Sequence, residues 1–240
     1  MASEFQRLQG APGAVTLEGL HALKHAIRFG AEVRRAVTPD KDAILRLAAD
    51  LAPDLVPRLQ DLLVTVPAEE FRRLSSRPPA SPVLAVADRR DSSPGDALLA
   101  GHAPVVLLDQ PRHAGNVGAV IRVAAAGGAG AVLVTGTLDP WSTPVLRAAA
   151  GLHYAVEVST ALLPLDTTRP VLALDPDGDE LVAGSLPADA VLAFGSERHG
   201  LTPELLARAD RVLALPMREH VSSLNLATSV AAVLYAWRLR

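Results

Sequence analysis

The sequence predicts an α/β protein whose larger part is a parallel sheet covered by helices. Strand-like runs at residues 104–108, 131–134, 171–174 and 190–194 are apolar without alternation, the mark of strands buried on both faces. Helix-like stretches separate many of these runs, which is the ordering that produces parallel strands joined by crossovers. Of the 240 residues, 49% are hydrophobic, enough to bury a sizeable core.

The first part of the chain reads as a smaller α/β unit. Residues 14–17 are strand-like, 19–29 helical, 33–37 apolar, and 40–49 helical, with another helix after Leu55. Residues 62–66 form the next strand, Pro67 to Phe71 opens a further helix, and 83–87 closes the unit as a strand. Beyond it the chain turns small and polar, with Arg89, Arg90, Ser92, Ser93, Pro94 and Gly95, the composition of a linker. The expected division is an N-terminal domain at 1–87, a linker at 88–102 and a second domain at 103–240.

In the second domain the expected strands are 104–108, 131–134, 155–158, 171–174, 190–194 and 211–215, with helices at 117–126, 143–149, 203–207 and 222–237. In an open α/β sheet a ligand sits beyond the carboxyl ends of the strands, where backbone groups are free and helix N-termini point outward. Three of these strand ends are rich in polar residues.

The first runs from Leu108 through Asp109, Gln110, Pro111, Arg112, His113 and Gly115 to Asn116 and Gly118, then into a helix carrying Arg122. Asn116 and Arg122 are six apart and share a helix face only roughly. The glycines do not form GxGxxG, and no acidic residue stands where a nicotinamide ribose would need one. Arg122 lies in an apolar helix, where it either snorkels to the surface or grips a phosphate bidentately. The second loop, Gly195 to Gly200, brackets Glu197, Arg198 and His199 between glycines; these charges serve either an exposed ion pair or a site. The third joins Leu215, Pro216 and Met217 to Ser222, Ser223, Leu224 and Asn225, with Ser222 or Ser223 as a candidate helix N-cap. Small hydrogen-bonding side chains beside free backbone groups suit a polar small molecule.

Composition removes several classes of chemistry. With no cysteine there are no disulfides, thiolate zinc sites or cysteine nucleophiles. His21 and His25 are the one histidine pair at i, i+4 spacing, with no carboxylate to complete a metal site, so no metal is expected. A net charge of −3 argues against indiscriminate adhesion to nucleic acid, so any RNA surface must be a local patch. No apolar run is long enough to span a membrane and the start lacks the order of a secretory signal, so a cytoplasmic location is expected.

In order and spacing, Asn116-x-Gly-x-x-x-Arg122, Phe194 to Leu201 (Phe-Gly-Ser-Glu-x-x-Gly-Leu), and Leu-Pro-Met followed by Ser-Leu-Asn (Leu215 to Asn225) are similar to the three signature motifs of the SpoU/TrmH family of RNA ribose 2′-O-methyltransferases. The stretch Leu138 to Ser142 with Arg147 and Gly151 also looks like that family, and residues 15–87 resemble its N-terminal RNA-binding domain, itself similar to certain ribosomal proteins. Ala149 stands where the family often has Ser, and Ser196 where it often has Asn.

The resemblance implies a trefoil-knotted C-terminal domain, S-adenosylmethionine as methyl donor, an RNA substrate, and a homodimer whose catalytic surface combines both subunits. By matching position Arg122 is the catalytic arginine, with Asn116, Glu197, Ser223 and Asn225 around it, and Gly195, Leu215, Met217 and Leu224 hold the cofactor. The final helix, through Val230, Val233, Leu234 and Trp237, fits either a dimer interface or ordinary core. Arg72, Arg73, Arg89, Arg90 and Arg112 are candidate RNA contacts. Ribosomal RNA is the expected target; transfer RNA, or a non-catalytic RNA-binding assembly factor, are the alternatives.

Overall fold

The computed structural model describes residues 2–75, 77–90, 102–160, 167–182 and 184–239. Most of the expected linker, 91–101, lies outside the described residues. The chain divides into two compact units, Met1–Arg90 with Trp141–Ala155, and Asp91–Pro140 with Val156–Arg240.

The first unit carries a four-stranded sheet in the order β1-β4-β2-β3, from β1 (Ala14–Glu18), β2 (Val33–Thr38), β3 (Leu63–Thr65) and β4 (Leu84–Asp88). β4 is antiparallel to both neighbours, while β2 and β3 are parallel. Around it lie α1 (Ala2–Gln9), α2 (Leu20–Arg28), α3 (Lys41–Leu51), α4 (Val56–Leu62) and α5 (Ala68–Leu74). The α3 start follows from Asp40, whose carboxylate accepts the Ala43 amide at 2.8 Å as an N-cap. α1 is absent from the sequence expectation because eight residues give too short a window for periodicity. Its Phe5 is fully buried, in a core with Val37, Phe71, Leu84 and Val86.

The second unit is a six-stranded sheet, parallel at every pairing, in the order β10-β8-β9-β5-β6-β7. In chain order it contains β5 (Val105–Leu108), α6 (Ala114–Gly127) and β6 (Ala131–Val134); after α7 (Thr143–Ala148), which belongs to the first unit, come β7 (Glu157–Thr160), β8 (Val171–Glu180), β9 (Val191–Phe194), α8 (Pro203–Arg208), β10 (Arg211–Ala214) and α9 (Leu226–Arg238). β5, β6 and β9 are buried at every residue, as unbroken apolar strands require. α9 packs on α6, with the Leu234 side chain over Gly127. Val230, Val233 and Leu234 are fully buried here, so of the two uses open to them they serve the core.

Two boundaries differ from expectation. α9 begins at Leu226 rather than at 222, because Asn225, not Ser222 or Ser223, is the N-cap: its side-chain oxygen accepts the Ala227 amide at 3.0 Å. Trp141–Ala155, placed with the second domain by sequence, clusters with the first unit. Trp141 packs against His153 (ring centroids 4.9 Å apart) and edge-on against Tyr154 (5.4 Å), and the Tyr154 hydroxyl donates to the Asp88 carbonyl at 2.7 Å. Arg147 pairs with the nearly buried Glu18 carboxylate. Gly151 turns with φ of 71°, its α-carbon against the Ala22 backbone where a Cβ has no room. No local pattern in 141–155 announces a partner so distant in sequence.

Arg89 and Arg90 also find partners within this unit. Arg89 stacks over Trp141 at 5.7 Å, and Arg90 donates to the carbonyls of Tyr154 and Phe29, each at 3.0 Å. Arg72 and Arg73 pair with Glu69. Burial pushes the Tyr154 phenol well above its usual value, so it remains a hydrogen-bond donor. Replacing it with Phe leaves the Asp88 carbonyl unpaired; Tyr154→Phe is expected to lower unfolding stability by about 1 kcal/mol in denaturant titration.

Candidate active site

The strand order of the second sheet decides where its loops meet. From β5 the chain builds outward through β6 to β7, then returns to the other side of β5 for β8 and β9. The direction therefore reverses beside β5, and the loops following β5 and β9 rise side by side at a topological switch point.

Asp109, the first residue after β5, is buried and ties these loops to a third. One carboxylate oxygen accepts the Thr202 amide at 2.7 Å, and the other accepts the Thr135 hydroxyl at 2.9 Å. The Thr135 oxygen in turn accepts the Gln110 amide at 2.9 Å. A single side chain thus fixes the ends of the loops after β5, β6 and β9. The signal for this anchor in the sequence is an acidic residue directly after an all-apolar strand.

Above this anchor runs a chain of side-chain hydrogen bonds. Glu197 Oε1 accepts Asn116 Nδ2 at 2.6 Å, Asn116 Oδ1 accepts Asn225 Nδ2 at 3.1 Å, and Asn225 Oδ1 accepts the Ala227 amide at the start of α9. A carboxylate only accepts and a backbone amide only donates, so these two ends dictate both amide orientations. Glu197 Oε2 also receives the Arg112 amide at 3.4 Å. Partial desolvation by itself would raise the Glu197 carboxyl; the bonds from Asn116, its own backbone and Arg112, with His113 nearby, outweigh it and hold the group below its ordinary value.

Beside the chain opens a cavity of about 480 Å³. Leu174, Phe194, Leu213 and Leu226 give it apolar walls, and Gly195, Leu215, Met217, Ser223 and Leu224 line it with the second and third loops. At Gly195 a Cβ would run into the backbone of Gly200 and Leu201, so the narrow turn excludes every other residue. The turn is closed by paired amide–carbonyl bonds between Ser196 and Gly200, at 2.9 and 3.0 Å. The Ser196 hydroxyl stays inside it, donating to the Gly200 carbonyl and accepting the His199 amide.

Of the residues singled out by sequence, Glu197, Ser223, Asn225, Gly195, Leu215, Met217 and Leu224 all border this cavity. Asn116 does not, but joins it through Glu197 and Asn225. Arg122 is the departure. Six residues along α6, about 9 Å of helix, carry it past the chain of amides, and it does not line the cavity. Its side chain is exposed, without an ion pair or hydrogen bond among the described residues. Leu174 and Asp175 also line the cavity, a contribution sequence reasoning missed although the polar run Asp175-Pro176-Asp177-Gly178 directly follows an apolar strand.

Residues 103–235 match the model of the SpoU rRNA Methylase family. The chain is 27% identical to rRNA methyltransferase 3A, mitochondrial, of Danio rerio over 94% of its own length and 64% of that protein's. It is 26% identical to the 23S rRNA (guanosine(2553)-2′-O)-methyltransferase RlmP of Bacillus subtilis strain 168, over 92% of this chain and 87% of that one. The chain spans 64%, 28% and 32% of the lengths of three curated relatives it matches. Among solved structures, the AdoMet complex of the SpoU methyltransferase AviRb from Streptomyces viridochromogenes superposes with a TM-score of 0.79 at 23% identity, covering 99% of this chain and 96% of that one. That likeness establishes a shared fold.

The Glu197 carboxyl is lower in the folded state than the usual value near 4.3. Its ionised form therefore stabilises the fold fully above about pH 4.3, and the contribution disappears as pH falls through the folded value. Wild type minus Glu197→Gln in unfolding free energy is expected to shrink over that acid range and to stay flat from pH 5 to pH 8. Asp109→Ala leaves the buried Thr135 hydroxyl and the half-buried Thr202 amide without an acceptor, so equilibrium unfolding should register a loss of about 2 kcal/mol.

Proposed function

We propose that this chain, which belongs to the SpoU rRNA methylase family, transfers a methyl group from S-adenosylmethionine to a ribose 2′-hydroxyl of RNA. The observation that carries the reading is the convergence of Asn116, Glu197 and Asn225 in one directed hydrogen-bond chain beside a cavity floored by aliphatic and aromatic side chains. The cavity suits the donor: apolar walls for a base, the tight Gly195 turn for close backbone approach, and Ser223 with Asn225 for polar groups. When bound, S-adenosylmethionine supplies an electrophilic methyl on a sulfonium.

A ribose hydroxyl is a weak nucleophile unless its proton is removed or its developing charge is stabilised. An arginine is a poor proton acceptor, so Arg122 is assigned to gripping the adjacent phosphate with its planar fork and orienting the hydroxyl. The proton passes to a phosphate oxygen, or to Arg122 itself only if its guanidinium first gives up a proton to that phosphate. Asn116 and Glu197 would hold the loops that position the attacking oxygen, and Asn225 fixes the N-terminus of α9 beside them.

Arg122 stands apart from its own cavity, which favours a homodimer in which each subunit's arginine serves the other's donor site. α9 offers a surface for a second copy: Thr228, Ala232, Tyr235 and Leu239 are exposed at spacings that place them along one stripe, with Leu239 80% and Tyr235 40% accessible. The segment from Leu215 to Asn225 is proposed to complete a trefoil knot as in the family. Residues 1–87 are proposed as the RNA-binding domain, residues 103–240 without the 141–155 segment that clusters with the first unit as the catalytic domain, and the site of action as the cytoplasm.

Ribosomal RNA is the favoured substrate because the zebrafish and Bacillus relatives, both named for it, align over 94% and 92% of this chain and so include the N-terminal unit. Transfer RNA is the alternative within the chemistry, and a non-catalytic assembly factor the alternative outside it. Tritiated-methyl transfer into unmodified ribosomal and transfer RNA separates the three: label in ribosomal RNA supports the reading, label in transfer RNA alone moves the substrate, and no label with either removes the enzyme. Arg122→Lys keeps the charge but loses the fork, and its turnover is expected to fall about a hundredfold or more, equivalent to roughly 2.7 kcal/mol. Tyr235→Glu is expected to convert a dimer to monomers in sedimentation velocity and to abolish transfer. Mixing inactive Arg122→Ala with inactive Glu197→Ala chains should then restore activity through hybrid dimers.

A further inference from the structure

We infer that Asp175 is a binding residue for the ribose diol of the methyl donor's nucleoside, an assignment that rests on the donor-site reading above. The register of β8 gives it this place. Val212 of β10 pairs with Ala173, but the next residue, Leu213, pairs with Asp179, so residues 174–178 have no partner on β10, while Leu174 stays paired with Phe194 of β9 on the other side. Leu174, Asp175 and Pro176 line the cavity.

The layers of the cavity follow from the neighbouring strand. Leu174 and Phe194 are register partners across β8 and β9, and with Leu213 they form an apolar layer at the strand ends. One residue further along β8 comes Asp175, whose Oδ2 lies beside Gly200, 3.9 Å from where a Cβ on that glycine would stand, at the stem of the turn in which Ser196 and Gly200 are bonded to each other. Glu197 lies beyond that stem, within the turn, bonded to Asn116. An apolar layer, a carboxylate, and then the catalytic amides match a nucleoside whose base fills the apolar layer and whose sulfur faces the amides. The ribose lies covalently between those two groups.

Asp175 is prepared for this task. Its Oδ1 accepts the Asp177 amide at 3.0 Å, which fixes the carboxylate plane, and Oδ2 has no hydrogen-bond partner among the described residues. The side chain is partly buried. A carboxylate at the carboxyl end of a parallel strand is a suitable acceptor for ribose hydroxyls, and vicinal hydroxyls present two donors to it.

Titration calorimetry on the intact protein, with S-adenosylhomocysteine and with 5′-methylthioadenosine, tests the assignment. Both ligands carry the diol, and the second lacks the amino-acid end. Asp175→Ala is expected to weaken both by a similar factor of about tenfold or more. Asp175→Asn, which keeps the shape and an acceptor, is expected to weaken both by less, and it supplies the same reading if the alanine variant fails to fold. A loss confined to S-adenosylhomocysteine overturns the inference by placing the carboxylate at the ammonium group, and unchanged affinity for both ligands overturns it outright. Failure of wild type to bind either ligand refutes the donor-site reading itself.

Discussion

The structure of the site depends on the hydrogen-bond chain from Glu197 through Asn116 and Asn225 to the first turn of α9. Its members come from three loops that are distant in sequence, and each bond has one permitted direction. A carboxylate at one end and a backbone amide at the other leave the two intervening amides no freedom to flip. Position in this site is therefore set by donor and acceptor logic as well as by shape, and the cavity beside it inherits that order. The lowered Glu197 carboxyl is the electrostatic counterpart, because the bonds that fix the loops also favour the ionised form.

Beneath the chain, the parallel sheet supplies the reason that these loops meet. β5 and β9 are adjacent because the chain reverses its direction of sheet growth there, and Asp109 converts that adjacency into a fixed spacing through Thr202 and Thr135. A buried carboxyl group that accepts from two donors is costly to remove, since its loss strands both of them. These loops thus rest on a shared buried support, while Arg122 stands on the exposed face of α6 without a partner among the described residues.

Much of this was legible in the residues. Unbroken apolar strands revealed the parallel sheet, and polar clusters after residues 108, 194 and 215 marked the loops that line the site. Helix starts were less legible. Asn225 rather than Ser222 or Ser223 takes the N-cap, and its amide nitrogen is at the same time bonded to Asn116, a partner distant in sequence. The sequence predicts a strand of only four residues at 171–174, since Asp175-Pro176-Asp177-Gly178 has the composition of a turn, whereas β8 resumes its pairing with β10 at Asp179. The attachment of Trp141–Ala155 to the first unit depends on contacts such as Arg147 with Glu18 and Tyr154 with Asp88, which no local pattern encodes. Arg89 and Arg90 have the composition of a basic patch, yet their side chains stack on Trp141 and donate to the carbonyls of Tyr154 and Phe29.

The central claim is that the three loops act as one unit through Asn116. A double-mutant cycle between Glu197→Ala and Asn225→Ala, read as the affinity for S-adenosylhomocysteine, tests it most directly, because no bond between these two side chains is found and each bonds Asn116. A coupling energy of about 1 kcal/mol or more is the result expected of a connected chain. Additivity to within about 0.3 kcal/mol would contradict it, leaving the loops as independent neighbours.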